Sequence, residues 1–124
     1  LMGQDFFPYR PAPCKVNFDR GNEFGQPSDL VEMPVSWYMD DFPHSEFIMT
    51  RTGMKPQSQI FEIWRATFDY GIENTENGML NVAMHPQVIG RPHNIGMLEE
   101  FIRHAMDSGA WIAPFAEVYE KIEF

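Results

Sequence analysis

The stretch Met79-Leu-Asn-Val-Ala-Met84, then His85-Pro-Gln-Val-Ile-Gly-Arg-Pro-His93, then Asn94-Ile-Gly-Met-Leu-Glu-Glu-Phe-Ile-Arg-His-Ala-Met-Asp-Ser108, decides the fold. Residues 79–84 are short and mostly apolar, which predicts a buried parallel strand. Residues 85–93 interrupt regular structure with two prolines and a glycine. Residues 94–108 then place Ile95, Leu98, Phe101, Ile102 and Ala105 on one face of a helix. Asn94 is the expected N-cap. Glu99 and Glu100 come early and Arg103 and His104 late, which suits the helix dipole. Gly109 is placed to end the helix.

Downstream, residues 110–113 read as a short strand. Residues 115–122 read as a helix with Phe115, Val118, Tyr119 and Ile122 on one side. Upstream, Ile60, Ile63, Trp64, Thr67 and Phe68 give residues 57–70 one apolar helical face, with Gly71 at its C-cap. Residues 72–78 are polar and end in the turn pair Asn77-Gly78. Residues 30–36 predict a strand, with Pro34 suited to its end. Residues 37–56 form a long loop, and long loops in compact domains are usually functional. Residues 1–29 read as an ordered loop that Met2, Phe6, Phe7 and Tyr9 could pin to a core. The alternation of β and α elements predicts an α/β fold with parallel strands and crossover helices. Nothing marks a boundary, so residues 1–124 are expected to be one domain.

Composition narrows the function. The chain has 124 residues, 44% hydrophobic and 22% charged, which is globular rather than disordered. Its formal net charge is −9 and it has no basic patch, so neither nucleic acid nor an anionic membrane is an expected partner. No apolar run reaches the roughly 20 residues of a membrane span, and no signal peptide is visible. Cys14 is the single cysteine, so no intrachain disulfide exists; an inert thiol and a cytoplasmic location are expected. The chain opens on Leu1, and we expect it to be cut from something longer.

In parallel α/β folds the chemistry gathers where strands end. Two polar junctions qualify: Trp37-Tyr38-Met39-Asp40-Asp41 and His85 through His93. His85, at the end of an apolar strand, suits a general acid or base, or else a structural histidine. Asp40 and Asp41 could orient a histidine, hold a metal, bind hydroxyls or simply cap a turn. Arg91 could fix a carboxylate or form an internal ion pair that shapes its loop. His44 and His93 are expected at the surface or in loops. No two histidines have the His-x-x-x-His spacing that sets a pair of imidazoles on one helix face, so no complete metal site is expected from this chain.

Together, Leu30-Val-Glu-Met-Pro-Val-Ser-Trp-Tyr-Met-Asp-Asp41, Ile63-Trp64 through Phe68-Asp69, Val82-Ala-Met-His-Pro-Gln-Val-Ile-Gly-Arg-Pro-His93 and Trp111-Ile-Ala-Pro-Phe-Ala-Glu-Val118 resemble the polysaccharide deacetylases with a NodB-like homology domain. The nearest branch looks like that of peptidoglycan deacetylase-like enzymes, metal-independent allantoinases and cyclic-imide hydrolases. The resemblance implies the C-terminal half of a distorted parallel barrel of about seven β/α units. It implies hydrolysis of a non-peptide C–N bond, by default the N-acetyl amide of an amino-sugar polymer, with a small cyclic amide as the other substrate. His85 matches the family's late histidine, which protonates the leaving amine. Asp40 and Asp41 match the Asp/Trp motif that orients it or lines the site, Trp37 the aromatic wall, and Arg91 a stabiliser of the site loop. The family's base, its metal-binding Asp and its His-x-x-x-His motif are absent, and Ala83 stands where its pattern has leucine. The resemblance therefore implies a divalent metal such as zinc held outside this chain, a partner supplying the complementary N-terminal half of the barrel, and an oligomer. A non-catalytic binding subunit is the reading from a different class.

Overall fold

The computed structural model describes residues 6–15, 17–48 and 51–122, and Met2 lies outside them. The core is built by two helices. α2 spans Gln57–Asn74 and α4 spans Pro92–Asp107, and they pack against each other. α2 contributes Ile60, Trp64 and Phe68, and α4 contributes Met97, Phe101 and Ala105, with Met39 completing the cluster. Trp64 and Phe68 each meet Phe101 edge to face, at 5.5 and 6.0 Å between ring centroids. Such pairs add to the burial of their area.

The α2 stripe is the one its spacing predicts, but the helix runs past Gly71. It ends at Asn74 with Thr75 as C-cap. Gly71 is buried inside the helix, where a Cβ would lie 2.8 Å from the Phe6 ring. It is there for close packing rather than for capping. The α4 stripe is turned by about one residue from expectation. Asn94, Met97, Phe101 and Ala105 face inward, while Ile95 and Ile102 are exposed. Asn94 is not the N-cap; Arg91 is, with Pro92 in the first helical position. Asn94 is fully buried, its amide donating to the Val88 carbonyl at 2.9 Å and accepting from Gln57. Gly109 follows the C-cap Ser108 with φ +84°, the left-handed conformation expected there.

The remaining elements are short. β1 (Cys14–Lys15) and β2 (Glu23–Phe24) pair antiparallel within the N-terminal segment. A 3-10 turn, Trp37–Met39, leads into α1 (Asp41–Ser45). β3 (Phe47–Ile48) and β4 (Arg51–Thr52) form a second antiparallel pair. α3 (Pro86–Ile89) precedes α4, and α5 (Phe115–Tyr119) is shorter than the 115–122 expected.

The strands expected at 30–36, 79–84 and 110–113 are not formed as ladders among the described residues. Glu32 makes one antiparallel bridge, to Tyr9, and Ala83 makes one parallel bridge, to Asp40. An extended segment becomes a ladder only where a neighbour takes its backbone groups. Among the described residues, 79–84 meet a parallel neighbour only beside Asp40. The mixture of helices and short strands is compatible with an α/β fold, and the parallel bridge is its one parallel pairing among the described residues. No helix among the described residues is long and apolar enough to cross a membrane.

Candidate active site

The parallel bridge brings the two polar junctions together. The Ala83 N–H donates to the Met39 carbonyl at 2.9 Å, and the Asp41 N–H donates to the Ala83 carbonyl at 3.2 Å. Asp40 sits between the 3-10 turn and α1, where its Oδ1 accepts the Phe42 N–H at 2.9 Å. That is ordinary N-capping by a short acidic side chain. His85, two residues past the bridge, is the N-cap residue of α3. Its carbonyl accepts from Val88 and Ile89 at 2.8 and 2.9 Å. Pro86, in the first helical position, suits the fixed φ of proline.

This arrangement sets His85 on Asp41. The His85 backbone N–H donates to both carboxylate oxygens of Asp41, at 3.2 and 3.0 Å. The ring Nδ1 lies 2.8 Å from Asp41 Oδ1 and 3.7 Å from Asp40 Oδ1. A carboxylate accepts, so Nδ1 carries the proton and Nε2 is the nitrogen left to act. Asp41 is buried, while the His85 side chain is 40% exposed. The Phe42 ring stands 5.0 Å from the imidazole. The hydrogen bond to Asp41 holds the His85 pKa above its ordinary 6.5, and the charges of Asp41 and Asp40 act in the same direction against the desolvation that lowers it.

Trp37 is exposed, and with Val35 and Asp40 it lines an open concavity of about 240 Å³. Arg91 does not reach this group. Its Nη2 pairs with Glu46 Oε1 at 2.8 Å and its Nε donates to the Gln87 carbonyl at 3.3 Å, tying the loop after α3 to the end of α1. His93 is exposed. His104 bonds Asp69 at 2.6 Å across the α2–α4 seam.

His44, expected at the surface, is buried. Its ring bridges the Tyr38 carbonyl at 3.0 Å and the Lys55 ammonium at 3.3 Å. Sequence reasoning passed over His44, Lys55 and Glu46. The signal for His44 was Pro43 three positions past a capping aspartate, which marks the first turn of a helix. Nothing in the sequence pointed to Lys55 or Glu46.

Asp40, Asp41 and His85 each bring one candidate ligand atom within 4.8 Å of the others. Two carboxylates and an imidazole suit a divalent cation by donor type. Their hydrogen bonds argue otherwise. The His85 Nδ1, which faces both carboxylates at 2.8 and 3.7 Å, shares its proton with Asp41, and Asp40 Oδ1 is committed to the cap of α1. A metal ligand must give up that proton. His85 and Asp41 form a carboxylate–imidazole pair, and with Asp40 they do not fit a metal centre.

No family model matches the chain. Its sequence is 32% identical over 118 residues to the peptidoglycan deacetylase of Helicobacter pylori, an alignment covering 84% of this chain and 40% of that protein. The chain thus spans about two-fifths of the length of the curated relative it matches. The chain is thus similar to part of a peptidoglycan deacetylase, and the matching chain carries a histidine seated on a buried aspartate.

Proposed function

We propose that this chain supplies the leaving-group acid of a deacetylase-type amide hydrolase. The observation that carries the reading is the 2.8 Å contact between His85 Nδ1 and Asp41, which leaves Nε2 open and keeps the imidazolium populated to higher pH. In amide hydrolysis water adds to the carbonyl carbon, and the amine departs only when its nitrogen receives a proton. His85, protonated at Nε2, donates that proton as the C–N bond breaks. Acid and free amine are the products. Asp41 fixes the ring through Nδ1–H and stabilises its positive charge before transfer, and Asp40 adds negative charge at 3.7 Å. Trp37 offers an exposed aromatic face to a sugar ring beside Asp40. Arg91 acts on the site through the loop it holds with Glu46.

In this reading the chain works with a complementary N-terminal half of the barrel. That half carries the base and the residues for a divalent metal such as zinc. The substrate is an N-acetylated amino-sugar polymer. The test is acetate release from an N-acetylated amino-sugar oligomer by the assembled enzyme, with His85→Ala beside the parent. A fall in kcat of about a hundredfold or more, the usual contribution of a positioned proton donor, is expected. Unchanged acetate release by His85→Ala would make this chain a binding subunit. Hydrolysis of a cyclic imide in place of the acetylated sugar would move the substrate to the other branch.

A further inference from the structure

We propose that His44 is a positioning residue for this site: a neutral imidazole that locks the Trp37–Met39 turn through the Tyr38 carbonyl and so sets the aromatic wall. The inference rests on the hydrolase reading above and deepens it. The turn is held by one buried side chain and by its backbone polar groups. Trp37 and Tyr38 are 71% and 68% exposed, so their side chains do not anchor it, and only Met39 is buried. The backbone must be fixed through its own polar groups.

Those groups are taken one by one. The Tyr38 N–H donates to Ser36 Oγ at 3.3 Å, and the Met39 N–H donates to the Ser36 carbonyl at 3.0 Å. The Met39 carbonyl takes the Ala83 N–H at 2.9 Å. The Tyr38 carbonyl meets His44 Nε2 at 3.0 Å. A carbonyl only accepts, so Nε2 carries a proton and donates. An ammonium only donates, so Nδ1, 3.3 Å from Lys55 Nζ, holds a lone pair and accepts. The two partners together fix one tautomer and the neutral ring. Lys55 is bound back a second time, its N–H donating to the His44 carbonyl at 2.9 Å.

The consequence reaches the substrate rather than the proton. The turn ends at Asp40 and carries Trp37, and both line the concavity. The ring of His85 is held separately, by Asp41. Loss of His44 therefore loosens the wall that meets a sugar and leaves the acid in place.

The test uses the assembled enzyme and an N-acetylated amino-sugar oligomer. His44→Ala is expected to raise KM about tenfold, the equivalent of one lost buried hydrogen bond, with kcat within about twofold. His44→Gln keeps a side-chain N–H for the Tyr38 carbonyl and is expected to recover most of the KM. By ¹⁵N NMR the parent protein should show His44 as the Nε2–H tautomer, and the Trp37 indole resonance should move in His44→Ala and return in His44→Gln. The proposal is overturned by an unchanged KM in His44→Ala, by a loss confined to kcat, or by an Nδ1–H tautomer. If His44→Ala does not fold, Lys55→Met decides: loss of the donor that fixes the tautomer must raise KM, and an unchanged KM overturns the proposal. If the enzyme releases no acetate, the hydrolase reading fails, while the tautomer and the Trp37 resonance still decide the positioning role.

Discussion

His85 is attached to Asp41 twice, once through its backbone N–H at 3.0 Å and once through ring Nδ1 at 2.8 Å. The same buried carboxylate thus sets where the chain turns after residue 84 and which ring nitrogen faces outward. The pairing has a sign that can be measured. Hydrogen bonding to a carboxylate favours the charged imidazole, so His85 titrates above 6.5 in the folded protein. Its stabilisation is fully present below the unfolded value of about 6.5 and is lost as pH rises through the raised folded value. NMR titration of the His85 ring should give a midpoint above the ordinary value, and Asp41→Asn should bring it down. A midpoint unmoved by Asp41→Asn would contradict the pairing.

Trp64 is fully buried between α2 and α4 and meets Phe101 at 5.5 Å. Trp64→Ala removes the largest buried side chain of the core and leaves a cavity, which should cost about 3–5 kcal/mol by denaturant titration. A cost below about 1 kcal/mol would mean that the two helices are not held by this contact.

Two glycines should respond in opposite directions. A Cβ at Gly53 would run into the backbone carbonyls of Glu46 and Pro43, the latter at 2.7 Å, and backbone does not swing aside. Gly53→Ala should destabilise by about 1–3 kcal/mol. Gly96 lies inside α4 with nothing near its would-be Cβ. Gly96→Ala should stabilise by about 0.5–1 kcal/mol, because alanine loses less backbone freedom on entering a helix. Thermal melts of the two variants, shifted in opposite directions, check both.

The two long helices were readable because a helical stripe is a property of one segment. Ile60, Trp64 and Phe68 recur at the right spacing whatever packs on them. The rotation of the α4 stripe was not readable. It depends on Asn94, a residue type suited to a cap, being used inside the core to satisfy Val88 and Gln57. The strands were overread at 30–36, 79–84 and 110–113 because apolar runs show the wish to be buried but not the neighbour that completes a ladder. The site was visible in its parts. His85 and the Asp40–Asp41 pair stood out at the ends of apolar runs. Their meeting, across 44 positions of sequence, came only from the resemblance, since spacing says nothing about contacts that a fold creates. His44 was missed because its partners, a backbone carbonyl and a lysine, leave no mark on the spacing, and Pro43 beside it marks only the first turn of a helix.

The measurement closest to the central claim is the pH dependence of kcat for acetate release, in the assembled parent enzyme and in Asp41→Asn. If protonated His85 drives departure of the amine, kcat falls on the alkaline side with a midpoint above 6.5, and the fall moves to lower pH in Asp41→Asn. An alkaline limb at the same pH in both proteins would contradict the account, because the proton would then come from a group that Asp41 does not touch.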